Sequence, residues 1–159
     1  MYVNTHSYYS LRYGTFSPAT LLQLAQENGC KSIALTDINT TSACLEFIRE
    51  APRFNIKPVI GVDFRNGVQQ QFILLAKNNK GFEHINKYLT SILHNKEKIP
   101  DHAPELEHTF VIYPFRKEKQ RQLKKSEYIG VSPEDVPYIR LKNRGISKAV
   151  ILLTVTFRN

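Results

Sequence analysis

Apolar residues along this chain recur in two modes, short dense runs and helically spaced stripes, and their order predicts strands joined by crossover helices. Strand-like runs fall at Tyr2 to His6, Ser32 to Asp37 and Lys57 to Phe64. Two helical segments separate them. The first has Ser17 as N-cap, Pro18 at the first helical position, an apolar stripe of Leu21, Leu22, Leu24 and Ala25, and Gly29 just past its end. The second begins near Thr41 or Ser42 and carries Cys44, Leu45, Phe47 and Ile48 to a stop before Pro52.

Asn66-Gly67 then predicts a hairpin, because both central positions of a type I′ turn take positive φ. The fourth strand follows from Gln70 to Ala76. Asn78 to Gly81 breaks the chain, and Phe82, Ile85, Tyr88, Leu89, Ile92 and Leu93 form the stripe of a third helix. Asn95 to His108 reads as a loop. Apolar runs at Thr109 to Tyr113, Tyr128 to Val131 and Ala149 to Phe157 bring the expected strands to seven. Ser132-Pro133-Glu134-Asp135 resembles a further helix start, with which Pro137 conflicts after one turn.

A chain of 159 residues, 42% hydrophobic and 23% charged, suits one domain with a real core. No apolar run approaches the roughly 18 residues of a membrane span, and the polar start Met1 to His6 lacks the layout of a signal peptide, so the expectation is a cytoplasmic protein with no membrane partner. Cys30 and Cys44 show no CxxC spacing and are expected to be reduced, mostly buried thiols. The formal charge of +8 is concentrated late in the chain: residues 116–125 contribute +5 and residues 140–148 contribute +4, leaving the remainder at −1. Lys117, Arg121, Lys124 and Lys125 are therefore the candidates for contact with nucleic acid or a partner protein; the competing reading is a solvated loop and helix face.

Parallel strands joined by helices present functional groups at their carboxyl ends. His6, Asp37 and Asp63 each end one of the first three strands. One imidazole and two carboxylates are suitable ligands for a divalent ion. A strand-terminal Asp equally serves as a cap for the next loop, and a lone His as a satisfied rim residue.

Four segments resemble the PHP domains that open bacterial replicative DNA polymerases of the DNA polymerase III alpha type. Asn4-Thr-His6-Ser-Tyr-Tyr-Ser-Leu-Arg-Tyr-Gly14 is similar to their HxHSxYSLxxG motif, and Ala34-Leu-Thr-Asp37-Ile38-Asn39 to a second in which TDH is usual. Ile56 to Phe64 resembles the strand IKPIIGxEF, and Phe72 to Asn78 with Gly81-Phe82 resembles HLxLLAKNxxGY. The likeness is specific over the first half; later, Ala149 to Phe157 stands where the family has its final strand.

The resemblance implies an α/β fold, a distorted seven-stranded (β/α) barrel, in a single domain spanning residues 1–159 at the N-terminus of a longer polymerase chain. It is shortened, since a full eight-unit barrel takes about 250 residues. The family holds a multinuclear metal cluster on histidines and carboxylates for phosphoester hydrolysis. Here the first histidine of HxH is Asn4, the histidine of TDH is Ile38, the third-strand glutamate is the shorter Asp63, the fourth-motif histidine is Gln71, and the final-strand ligands fall on Thr154 and Thr156. His6, Asp37 and Asp63 survive as a vestigial metal set, expected to hold no cofactor or at most one weakly bound zinc, manganese or magnesium ion. The implied role is a domain inactive by itself within a DNA-directed DNA polymerase, contacting later domains of that chain, a proofreading exonuclease subunit, and DNA through the whole polymerase. The alternative is a residual metal-dependent phosphoesterase or 3′–5′ exonuclease acting on nucleotides or DNA ends.

Overall fold

The computed structural model describes residues 1–116, 122–141 and 148–155. Six strands form one curled sheet in chain order: β2 (Ser32–Leu35), β3 (Lys57–Asn66), β4 (Gln69–Ala76), β5 (Thr109–Pro114), β6 (Glu127–Val131) and β7 (Ala149–Ile151). β1 (Asn4–Thr5) and β8 (Thr154–Val155) make a separate parallel pair. This pair ties the two sheet edges together. The backbone N–H groups of Ala34 and Thr36 donate to the carbonyls of Tyr2 and Thr5, both at 2.9 Å, so β1 lies along β2. On the other side β8 follows β7 after Leu152, whose N–H donates to Val131 O at 2.8 Å. The result is the distorted, shortened α/β barrel that the sequence predicts.

The expected seventh strand thus becomes two, because its first half pairs with β6 and its second half with β1. Thr156 and Phe157 lie outside the described residues. All described pairings are parallel except those of β4, which runs antiparallel to both β3 and β5. A hairpin needs no crossover, and this is where the chain economises on helices.

Strand alternation sorts the core into an interior and an outer layer. Ala34, Ile73, Leu75, Ile112 and Leu152 pack together inside the curl. Their neighbours Ile33 and Leu35 pack outward against α1 (Pro18–Glu27) and α2 (Cys44–Glu50). Val62, Phe64, Phe72 and Leu74 pack outward against Ile85, Leu89 and Ile92 of α3 (Asn79–Asn95). Phe64 and Phe72 are wholly buried, their ring centroids 5.1 Å apart. Each such side chain contributes about 1.5–3 kcal/mol by leaving water.

Local signals set the helix starts. Ser17 Oγ accepts from Thr20 N, and Asn78 Oδ1 accepts from Gly81 N, each closing a first turn. α2 starts at Cys44, with Cys44 N donating to Thr41 O at 3.0 Å. Leu45 and Ile48 of its expected stripe are exposed, since only Cys44 and Phe47 face the sheet. Pro137 does not end the fourth helix. A turn at Pro133–Asp135 leads into α4 (Val136–Leu141), and a proline in the first turn loses no intrahelical bond. Ser132 and Asp135 cap that start reciprocally.

The hairpin turn differs from the sequence expectation. Asn66 still belongs to β3, and the turn is Gly67-Val68 with positive φ at Gly67 alone. Asn66 is used otherwise: its Nδ2 donates to Ile99 O at 2.8 Å and its Oδ1 accepts from Ile99 N at 3.0 Å. One side-chain amide therefore replaces a strand partner for the 95–108 segment and seats buried Ile99 against the α3 core. Asn66→Ala strands both backbone groups of Ile99, and we expect a loss of about 1–3 kcal/mol in urea-denaturation stability.

Asp135 supplies a pH dependence. Burial opposes its ionised form, but hydrogen bonds from the Ser132 hydroxyl and amide, then the Arg116 guanidinium, outweigh burial and lower its pKa. A carboxyl with a depressed folded pKa stabilises fully above its unfolded value of about 3.9 and loses that contribution as pH falls through the folded value. Thermal melts of wild type and Asp135→Asn should differ at pH 7 and converge as the pH falls through the lowered Asp135 pKa.

Candidate functional site

His6, Asp37 and Asp63 are all buried, at 0%, 1% and 0% relative exposure. They stand at one rim, just past the carboxyl ends of β1 and β2 and near that of β3. A parallel bridge between Ile38 and Asp63, with Asp63 N donating to Asp37 O at 3.2 Å, keeps the second and third strands together there. Asp63 faces Ile73 in the register of β3 with β4, which places it on the interior face.

The two carboxylates serve different partners. Asp37 is spent on the loop after β1: Oδ1 accepts from Ser7 N at 2.6 Å and Ser10 Oγ at 2.6 Å, and Oδ2 accepts from Ser7 Oγ at 2.7 Å. Ser10 Oγ in turn accepts from Ile38 N at 2.9 Å. The loop folds back tightly enough that a Cβ on Gly14 would collide with the carbonyl of Ser7. Asp63 instead meets charge. Its Oδ2 lies 3.1 Å from His6 Nε2, 2.8 Å from Arg65 Nε and 2.7 Å from the second guanidinium nitrogen of Arg65.

Arg65 is the functional residue that sequence reasoning missed. Its position two residues after Asp63 on one strand is a legible signal, because i and i+2 share a face. Its seating required the structure. β3 and β4 shift register between Phe64 and Arg65, since β4 carries Gln71 as an extra residue opposite that step. Asn39, at φ 51°, brackets Arg65: its Oδ1 accepts from Arg65 N at 2.9 Å and its Nδ2 donates to Arg65 O at 2.8 Å. Tyr13 of the Ser7–Gly14 loop lies 5.2 Å from the guanidinium carbon, across its ring.

Other positions that depart from the metal-ligand pattern are internally bonded. Asn4 Nδ2 donates to Thr154 Oγ1 at 2.7 Å, so two expected ligand positions instead pin β1 to β8. Gln71 is buried, and its Nε2 donates to Gln69 O at 3.1 Å. Ile38 is half-buried and has no donor to offer. Thr156 lies outside the described residues.

As arranged, these residues do not fit a divalent ion. Asp37 has both oxygens engaged by the loop, and the Arg65 guanidinium sits within 3 Å of Asp63 Oδ2, a positive charge beside the carboxylate that an ion would need. The side-chain atoms left without a protein partner include His6 Nδ1, Asp63 Oδ1 and Asn4 Oδ1. Among the described residues, no group of three or more His, Cys, Asp or Glu is placed to hold a metal ion.

The basic candidates divide. Lys117 and Arg121 lie outside the described residues. Lys124 and Lys125 are exposed just before β6 begins, at the strand ends opposite the buried carboxylates, and Lys124 Nζ pairs with Glu105 Oε2 at 3.0 Å. Of the thiols, Cys44 is buried and Cys30 is half-buried. Burial, then the Asp37 charge, pushes the Cys44 thiol up to about 12. Iodoacetamide at pH 8 should label one thiol, Cys30, in the folded protein and both in urea.

A buried acidic rim on a curled α/β sheet defines a class, and the sequence comparison assigns it: a family model described as the PHP domain matches residues 3–139. The chain belongs to the PHP domain family. It is 39% identical over 92 residues to the DNA polymerase III subunit alpha of Mycoplasma genitalium, a match covering 55% of this chain and 10% of that one. The corresponding subunit of Ureaplasma parvum is 34% identical over 95 residues, 60% of this chain and 10% of that one. The error-prone DNA polymerase of Symbiobacterium thermophilum is 29% identical over 91 residues, 57% and 8% of the two chains. The matches thus span about a tenth of the length of these curated relatives. Among solved structures, an amidohydrolase from Chromobacterium violaceum aligns at 21% identity and a TM-score of 0.47, over 60% of this chain and 34% of that one. Among the described residues no helix is long and apolar enough to cross a membrane.

Proposed function

We propose that this chain is the non-catalytic PHP domain of a replicative DNA polymerase, serving the cytoplasmic replication machinery as a structural support and as a docking platform for a proofreading exonuclease. Similarity to DNA polymerase III alpha subunits supports the polymerase context. The single observation that carries the non-catalytic reading is the engagement of three of the four rim carboxylate oxygens by protein donors, both of Asp37 by the Ser7 and Ser10 groups and Oδ2 of Asp63 by Arg65 and His6. Phosphoester hydrolysis by metals needs open carboxylate oxygens to hold an ion that lowers the pKa of water. In the proposed polymerase, the carboxylates for nucleotidyl transfer belong to later domains, and contact with DNA is made by the whole enzyme.

Single-stranded DNA labelled near its 3′ end should survive incubation with the purified protein in zinc or manganese, with no turnover above that of His6→Ala. Cleavage that His6→Ala abolishes would establish the residual phosphoesterase reading instead. The docking role is checked by size-exclusion chromatography with the proofreading exonuclease from the same genome, where co-elution is expected and separate elution sinks that role.

A further inference from the structure

The charge at the centre of the rim is already balanced from within. Asp63 is wholly buried, and the Arg65 side chain that meets it is only 11% exposed. A buried carboxylate requires a cation, a proton or several hydrogen-bond donors, and Asp63, unlike Asp37, has no hydroxyl or amide donor among the described residues. Arg65 meets it through two nitrogens on one oxygen, Nε at 2.8 Å and a terminal nitrogen at 2.7 Å. Three independent features hold the guanidinium in place: the Asn39 amide clasping both backbone groups of Arg65, the Gln71 bulge at its strand step, and the Tyr13 ring against its carbon.

We propose that Arg65 is the resident cation of this site, a covalently attached substitute that holds Asp63 and, through it, His6 in the arrangement that a divalent ion would otherwise impose. The site therefore needs no metal to fold, and the guanidinium repels a divalent ion from the carboxylate it occupies. This goes beyond the functional reading above and does not depend on it: a domain that fails to dock an exonuclease still has, or lacks, this internal cation.

A double-mutant cycle on the whole chain tests it. Arg65→Met leaves the buried carboxylate with His6 alone and without its guanidinium, and the Tm of the variant should fall by roughly 8 °C or more. Asp63→Asn with Arg65→Met removes both charges and should recover a large part of that loss. Arg65→Lys keeps the charge without the fork and should fall between wild type and Arg65→Met. In parallel, wild type equilibrated with zinc or manganese ions and then desalted should retain no stoichiometric metal, and EDTA should leave its Tm unchanged. A double variant no more stable than Arg65→Met, folded or not, overturns the proposal. So does one equivalent of retained metal in the wild type.

Discussion

The buried contact between Asp63 and Arg65 is the constraint to which the rest of the rim answers. A carboxylate with no solvent exposure is tolerated only where a partner is fixed and close, because desolvation penalises an unpaired charge heavily. Each neighbouring feature contributes to that fixing. The β-bulge opposite Arg65, the left-handed Asn39 that grips its backbone, and the Tyr13 ring from the first loop all converge on one guanidinium. His6 completes the arrangement from β1's end, so the first and third strands are joined through side chains as well as through the sheet.

A second, parallel economy concerns the loop after β1. Asp37 commits both oxygens to Ser7 and Ser10, converting a position that could face a ligand into the anchor of the Ser7–Gly14 turn. That turn delivers Tyr13 to Arg65, so the two carboxylates are linked mechanically though they share no direct bond. Asn4 with Thr154 extends the same logic to the closing strands, where a side-chain hydrogen bond joins β1 to β8. Asn4, Asp37, Asp63 and Gln71 thus each make a hydrogen bond within the chain.

The strand order, the caps at Ser17 and Asn78, and the outward stripe of α3 were legible from periodicity and turn chemistry, since these are nearest-neighbour effects. His6 and Asp37 were legible as groups just past strand ends for the same reason, whereas Asp63, expected to end the third strand, lies inside β3 because the hairpin carries that strand on to Asn66. The turn residues were not: Asn66-Gly67 satisfies a type I′ rule locally, but Ile99, thirty-three positions away, recruits the Asn66 amide and moves the turn by one residue. The division of the last strand likewise reflects which edges it meets, β6 first and β1 after.

By itself, then, the sequence determined the alternation of strands and helices, the family, and the residue types at Asn4, Ile38 and Gln71, because those are properties of residue identity and spacing. Only the tertiary structure decided what the rim side chains contact. That Arg65 is seated against Asp63, and that Asp37 is consumed by the Ser7 and Ser10 groups, depends on contacts 26 to 52 residues apart in sequence, from Asn39 and Tyr13 to Arg65 and from the first loop to Asp37, and on a bulge in a neighbouring strand. Hydrophobic pattern sets which face a residue takes; only the closed fold sets which charge it finds there.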